Sequence, residues 1–415
     1  MNTREIEIIQ SLAKRYYEFA DSEENVKRKG LWRNHNSLKY TRPLVRVMTF
    51  GGEEVPEVGC ICEDPLIRPI ESFFRKELYK ISLNDDAVFK PWYTMRAIFS
   101  TPKTDNEWWG PPLSVVRPEK KGGAFIFDPP IKSEDDFGKL IKPRCIINEA
   151  QTSEKYNLIC DILGDIIPVV VDRAPNGTMA HSDISTDLAY LLGLEQMMYM
   201  MVDNPDFVKK IVSFMCESLL EVQSNAEEKG DLSLAVQWNQ SITYACELPE
   251  PSINAPPARR KELWAYCAAQ ESTGISPSMW EEFIFTYQRP IFCQYGLLPY
   301  GCCEDLTRLI PILKRDLSNL RRIAVTPWAN FRSCAEQIGS DYVLSWRPSP
   351  SDMVSFGFHP DRVKNTVREA FKIAAENKNI IDITLKDVET VSGNMEAVPG
   401  FVRCVREVIE EGCWR

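Results

Sequence analysis

The chain has 415 residues, is 44% hydrophobic and 26% charged, and carries a formal net charge of −10. That length suits one large domain or two ordinary ones, and the composition is that of a globular protein. The acidic balance argues against a general nucleic-acid surface or an anionic membrane as partner. The basic stretches "VKRKG" (26–30) and "NLRRI" (319–323) are short and read as solvated faces.

The opening "MNTREIEIIQSLAKRYY" predicts an amphipathic helix and lacks the apolar segment of a signal peptide. "RPLVRVMTFG" (42–51) follows as a strand or extended segment. Residues 50–150 are rich in Pro, Gly and Trp around "WWGPPLSVVRPEKKGG" and predict irregular structure with short strands. From about residue 160, short apolar runs alternate with helical patterns. The runs are "IIPVVVDR" (166–173), "LSLAVQWNQ" (232–240), "IFCQYGLLPYG" (291–301), "RRIAVTPW" (321–328), "DYVLSWRP" (341–348) and "IIDITLKD" (380–387). Near-continuous apolar runs are what parallel strands covered on both faces require. Residues 204–230 and 359–379 each show a helical apolar stripe with Pro just inside the start.

Repeated strand and helix predict an α/β fold with a parallel sheet. With "AVFKPWYTMRAIF" (87–99) the runs number seven, and an eighth in the irregular region would close a (β/α)8 TIM barrel. A doubly wound sheet is the rival, but no G-x-G-x-x-G and no G-x-x-x-x-G-K-[ST] occurs. The expected organisation is an N-terminal helical and irregular extension over 1–85, packed on a barrel over 86–415. No run of about 18 apolar residues is present, so no membrane span is expected. Thirteen cysteines, an odd number, are spread along the chain without a disulfide framework. Several sit in apolar runs, such as Cys160 and Cys216, which predicts free thiols in the cytoplasm.

In a barrel, function gathers at the C-terminal ends of the strands. Those ends carry Trp92 and Arg96, Asp172 and Arg173, Trp238 to Gln240, Tyr300 to Glu304, Trp328, Trp346 and Arg347, and Lys386 and Asp387. Any strand turns polar where it leaves the core. That bland reading explains less well why Trp238, Trp328 and Trp346 all stand at such ends, and an aromatic-lined cavity is expected. Arg173 and Arg347 are placed to clamp a carboxylate or to make structural salt bridges. Lys386 beside Asp387 reads as a buried pair or a substrate contact. Of three histidines, His181 in "GTMAHSDIS" alone lies in a loop after an expected strand, as a general acid or base or as an ordinary loop residue. His35 lies in the N-terminal region, and His359 opens a helix. In "YGCCED" (300–305), Cys302 is the best candidate metal ligand. Cys303 points to the opposite face unless the turn after Gly301 brings both sulfurs in. Glu304 and Glu271 are possible oxygen ligands. The alternatives are a tight turn with inert thiols or a reactive, metal-free thiolate. "GCICED" (59–64) reads as packing.

The stretch "AAQESTGISPSMWEEFIFTYQRPIFCQYGLLPYGCCEDLTRLIPILKR" (268–315), with "SDYVLSWRPSP" and "IIDITLKDVETV", resembles the uroporphyrinogen decarboxylase superfamily, nearer its cobalamin-dependent methyltransferase branch. The likeness covers about residues 160–410. It implies a (β/α)8 barrel with its site at the C-terminal mouth. No R-Q-A-G-R-type segment is present to neutralise a polycarboxylate, which argues against the decarboxylase itself. The methyltransferase branch holds zinc with a His-x-Cys pair and a distant cysteine. Here the pair reads Tyr300-Gly301-Cys302, and Lys386 and Asp387 stand where the distant cysteine would be; Cys404 and Cys413 lie in or beyond the last helix.

The resemblance implies zinc-assisted methyl transfer between a small methylated substrate, or a thiol, and a corrinoid. With no D-x-H-x-x-G segment in this chain, a small cobalamin-binding protein would carry that corrinoid. The expected site is His181 and Asp172 as catalytic groups. Arg173, Trp238, Gln240, Tyr300, Trp328, Trp346, Arg347 and Lys386 would contact substrate, and Cys302, Cys303, Glu271 and Glu304 would hold metal. The alternatives are a cofactor-independent decarboxylase or lyase of a small carboxylic acid, using Arg173 or Arg347 with Asp172 or His181, and a non-catalytic tetrapyrrole or corrinoid binder.

Overall fold

The computed structural model describes residues 3–102, 107–112, 114–116, 126–175, 184–236 and 239–415. Its strands are β1 (Leu44–Val47), β2 (Tyr93–Arg96), β3 (Phe99–Thr101), β4 (Ser114–Val116), β5 (Ile126–Asp128), β6 (Ile146–Ile147), β7 (Val169–Asp172), β8 (Leu298–Tyr300), β9 (Leu320–Val325), β10 (Val343–Trp346) and β11 (Ile380–Leu385). Five form one parallel sheet in the order β1-β11-β10-β9-β8, so the first strand pairs with the last. β2 and β7 form a separate parallel pair, and β3–β6 and β4–β5 are small antiparallel pairs. The fold is mixed α/β with a parallel sheet and many helices.

Two expected runs behave differently. In 232–240 the described residues form no strand. Leu232 and Leu234 bury in a side cluster with Ala226, Ala258 and Leu263. The Ala235 carbonyl accepts from Lys90 Nζ at 2.9 Å, a bond a neighbouring strand would otherwise make. Instead, the stretch from Trp264 to Cys267 lies parallel to β8, through bridges Trp264↔Leu297 and Cys267↔Tyr300. The run 291–301 is also split: its start ends the helix Thr286–Phe292, and only Leu298–Tyr300 is strand.

Alternation along the central strands sorts apolar from polar side chains. Ile323, Val325, Leu344, Ile381, Ile383 and Leu385 belong to the main core, which also takes in the helices Phe331–Ile338, Pro360–Glu376 and Ala397–Glu411. The intervening positions carry Arg322, Ser345, Asp382, Thr384 and Lys386, all buried. Toward the strand starts they form a closed network. Arg322 Nη2 donates to Asp382 Oδ2 at 2.6 Å, and Ser345 Oγ donates to Asp382 Oδ1 at 3.1 Å. From the helix Glu23–Asn36, the side-chain Oδ1 of Asn36 accepts from Arg322 Nη1, and His35 Nε2 lies 3.2 Å from Asp382 Oδ2. Buried charges persist only where paired and hydrogen-bonded in this way. The helices Thr3–Ala20, Ile67–Ser82 and Glu149–Leu163 cover β2 and β7, around Tyr16, Phe74, Tyr93 and Ile162. Among the described residues, no helix is long and apolar enough to cross a membrane.

Candidate active site

The site is built at the end of β8. Gly301 has φ +109°, and a Cβ there would lie 2.7 Å from Leu306 Cδ1 and 2.9 Å from Ala324 Cβ, so only glycine fits. The turn it makes presents Cys302, whose backbone is held from both sides. Its N–H donates to Glu304 Oε2 at 2.8 Å, and its carbonyl accepts from Arg347 Nη1 at 2.6 Å. Glu304 also accepts the Ala269 amide at 2.9 Å, tying the turn to the segment beside β8. Burial raises the Glu304 pKa, and the backbone amides oppose that rise.

The Cys302 sulfur accepts from Gln240 Nε2 at 3.2 Å and from Lys386 Nζ at 3.2 Å, and lies 3.6 Å from Cys303 Sγ. Gln240 is fixed in turn by Arg46 Nη1, which donates to its carbonyl at 2.7 Å. The hydroxyl of buried Tyr266 stands beside the same sulfur without a hydrogen bond of normal geometry. The Cys302 thiol is held well below the ordinary thiol range. The hydrogen bond with Cys303 is the largest cause, burial opposes it, and Lys386, Gln240 and Tyr266 add to the lowering. Cys303 is raised, first by that hydrogen bond and then by burial, so it keeps the proton of the pair. Burial and Arg347 push the Lys386 ammonium down, but the two sulfurs and Asp387 outweigh them and leave it raised. The arrangement sets a cysteine sulfur beside a lysine amine at the end of a parallel sheet, surroundings that favour a thiolate.

The same atoms answer whether zinc fits. Two thiolates on one tetrahedral zinc, with bonds of about 2.3 Å, stand about 3.8 Å apart, close to the separation seen here. However, Lys386 Nζ already lies among the donors, 3.2 Å from Cys302 Sγ, 3.4 Å from Cys303 Sγ and 3.2 Å from Asp387 Oδ2. Among the described residues, no three His, Cys, Asp or Glu side chains converge as a metal group. Glu304 spends its carboxylate on backbone amides, and Glu271 accepts from Ser185 Oγ at 2.9 Å and Thr186 Oγ1 at 3.0 Å. As arranged, the donor set does not fit zinc, because an ammonium takes the place of the cation.

Of the residues expected from the sequence, the fold brings together Cys302, Cys303, Gln240, Arg347 and Lys386. Others are placed elsewhere. Tyr300 turns toward the helices, its hydroxyl 3.3 Å from Gln288 Oε1 and its ring edge-on to Trp280. Trp346 packs edge-on against Phe331, and Trp328 is 78% exposed. Arg173 is neutralised by a two-pronged pair with Glu149, at 2.9 and 2.7 Å, and by Asp231 at 2.7 Å. It lines a different cleft of about 650 Å³. Asp172 is buried and accepts from Arg96 Nη1 at 2.8 Å. His181 and Trp238 lie outside the described residues. Sequence reasoning missed Tyr266 and Arg46. Arg46 was visible as a cation inside the apolar run "LVRVM"; Tyr266 gave no signal while its segment was not read as a strand.

No protein-family model matches the chain, and no curated protein matches it. Among solved structures, a methyltransferase from Methanosarcina mazei matches with a TM-score of 0.52 at 12% identity, over 92% of this chain and 98% of that one. At that identity the likeness is one of fold, and it spans nearly the whole of both chains.

Proposed function

We propose that this chain is a methyltransferase on a (β/α)8 barrel and that the methyl group passes through the sulfur of Cys302. The observation that carries the reading is the Cys302 sulfur, held by Lys386 Nζ and Gln240 Nε2 where the strands end. The fold shared with a methyltransferase supports it. Closure is supported by the pairing of β1 with β11, by the segment 264–267 lying parallel to β8, and by the further parallel pair β2–β7.

In the first step Cys302 Sγ attacks the methyl carbon of a small donor. An S–CH3 bond forms, the bond from carbon to the donor atom breaks, and its electron pair leaves with that atom. In the second, an acceptor nucleophile attacks the same carbon, and the S–C pair returns to Cys302 as thiolate. Surroundings that lower a thiol pKa make the thiolate both available and a better leaving group. Lys386 therefore acts in both directions, while Arg347 and Gln240 fix the sulfur's position. A small corrinoid protein is the acceptor-bearing partner that the sequence resemblance implies. The decarboxylase reading loses ground, because the charges of Asp172 and Arg173 are already paired.

The test uses deuterium-labelled iodomethane as donor and 2-mercaptoethanol as acceptor, with peptide mapping. The expected result is label on Cys302 ahead of exposed Cys246 and Cys293, followed by its transfer to the added thiol. Label that stays on Cys302, or that reaches the other cysteines as fast, refutes the reading.

A further inference from the structure

We infer that Cys302 and Cys303 form an oxidisable dithiol, in which a hydroperoxide oxidises Cys302 and Cys303 closes a vicinal disulfide. The two sulfurs lie 3.6 Å apart on adjacent residues; Cys302 is partly exposed and so open to a small oxidant, and Cys303 beside it is exposed. A disulfide needs about 2.05 Å, so closing it requires a local approach of about 1.6 Å, within the range of side-chain rotation. The turn at Gly301 places both sulfurs on one side of the chain, where an extended segment would point them apart.

The Cys302 sulfur attacks one oxygen of hydrogen peroxide, the O–O bond breaks, and hydroxide leaves and takes a proton to become water. Cys302 is then a sulfenic acid. The Cys303 sulfur gives up its proton and attacks the Cys302 sulfur; the S–O bond breaks and a second water leaves. Two thiols have been oxidised and one peroxide reduced. Lys386 Nζ, within 3.4 Å of both sulfurs, is in reach of the proton that moves.

Adjacent residues hold their Cα atoms about 3.8 Å apart, below the usual disulfide range of about 4.4–6.8 Å. A bond closed under that constraint is strained and easily reduced, which makes it reversible. The "GCICED" cysteines supply an internal contrast. Cys62 is buried, and burial and the Glu71 carboxylate push its thiol up to about 12, so it stays protonated. The inference stands on the geometry of the pair and not on methyl transfer.

The experiment treats the full chain with a small excess of hydrogen peroxide and maps its peptides by mass. The expected product has lost two hydrogen atoms in the Cys302–Cys303 peptide and recovers them with dithiothreitol. In Cys303→Ser, dimedone is expected to trap a sulfenic acid on Cys302 that the unaltered chain does not accumulate. Two intact thiols after treatment, equal dimedone labelling of both chains, or oxidation of Cys62 ahead of this pair would overturn it. A chain that forms the disulfide but never carries the labelled methyl refutes the proposed function alone; the reverse outcome refutes this inference alone.

Discussion

Replacing Lys386 by methionine removes a cation that touches both sulfurs and keeps most of the side-chain volume. The ammonium lies 3.2 Å from Cys302 Sγ. At that distance two unit charges attract by about 5 kcal/mol at an effective dielectric of about 20, and by about 1.3 kcal/mol in bulk water. Lys386 is 6% exposed while Cys302 is only half-buried, so solvent screens the pair and the answer lies between these bounds. Divided by about 1.36 kcal/mol per unit, the loss is a rise of roughly one to four units in the Cys302 titration midpoint. The sign is fixed: without the cation the thiolate is costlier, so less of it exists at neutral pH. The assay is the rate of iodoacetamide alkylation of Cys302 against pH, read by peptide mass. Lys386→Arg keeps the charge and is expected to move the midpoint much less. A midpoint in Lys386→Met within about half a unit of the unaltered chain would show that Lys386 does not set the state of the sulfur.

Gly301→Ala is expected to cost roughly 2–4 kcal/mol, from a left-handed backbone and a Cβ forced against Leu306 and Ala324. Urea unfolding measures the loss, and alkylation of Cys302 should slow as the sulfur leaves its donors. His35 is buried with its pKa lowered, mainly by desolvation, and it hydrogen-bonds Asp382 and Thr41 as a neutral ring. The unfolded chain therefore takes up this proton first. The contribution of His35 is present above its unfolded pKa of about 6.5 and is lost as pH falls below it. His35→Asn should flatten that part of the stability profile, measured as the difference in denaturation midpoint between the two chains; parallel profiles would count against a neutral His35.

The parallel sheet was legible because β9, β10 and β11 are buried on both faces and so spell near-continuous apolar runs. The same rule misled at 232–240, where an apolar run satisfies its backbone through side chains such as Lys90, while Trp264 to Cys267 takes the place beside β8. Cys302, Gln240, Arg347 and Lys386 were found as polar residues following apolar runs. Tyr300 and Trp346 pack against Gln288, Trp280 and Phe331, because reaching a strand end does not say which face a side chain takes. The pairing of Arg173 with Glu149 and Asp231 joins residues 24 and 58 positions away, beyond any local pattern. Lys386 was visible at an unexpected position, but its convergence on both sulfurs needed three dimensions.

The pairing of β1 with β11 also bears on how the molecule comes into being. Leu44 finds its partner at Asp382, and His35 closes on the same aspartate 347 residues away. A chain emerging N-terminus first must hold β1, an apolar strand with an open edge, until β11 has been made. Contacts of such long sequence separation form late and slowly, and an unpaired edge in the meantime is a template for another chain. The arrangement makes β11 a condition for pairing β1, so truncation ahead of β11 should yield aggregate and not a smaller working domain.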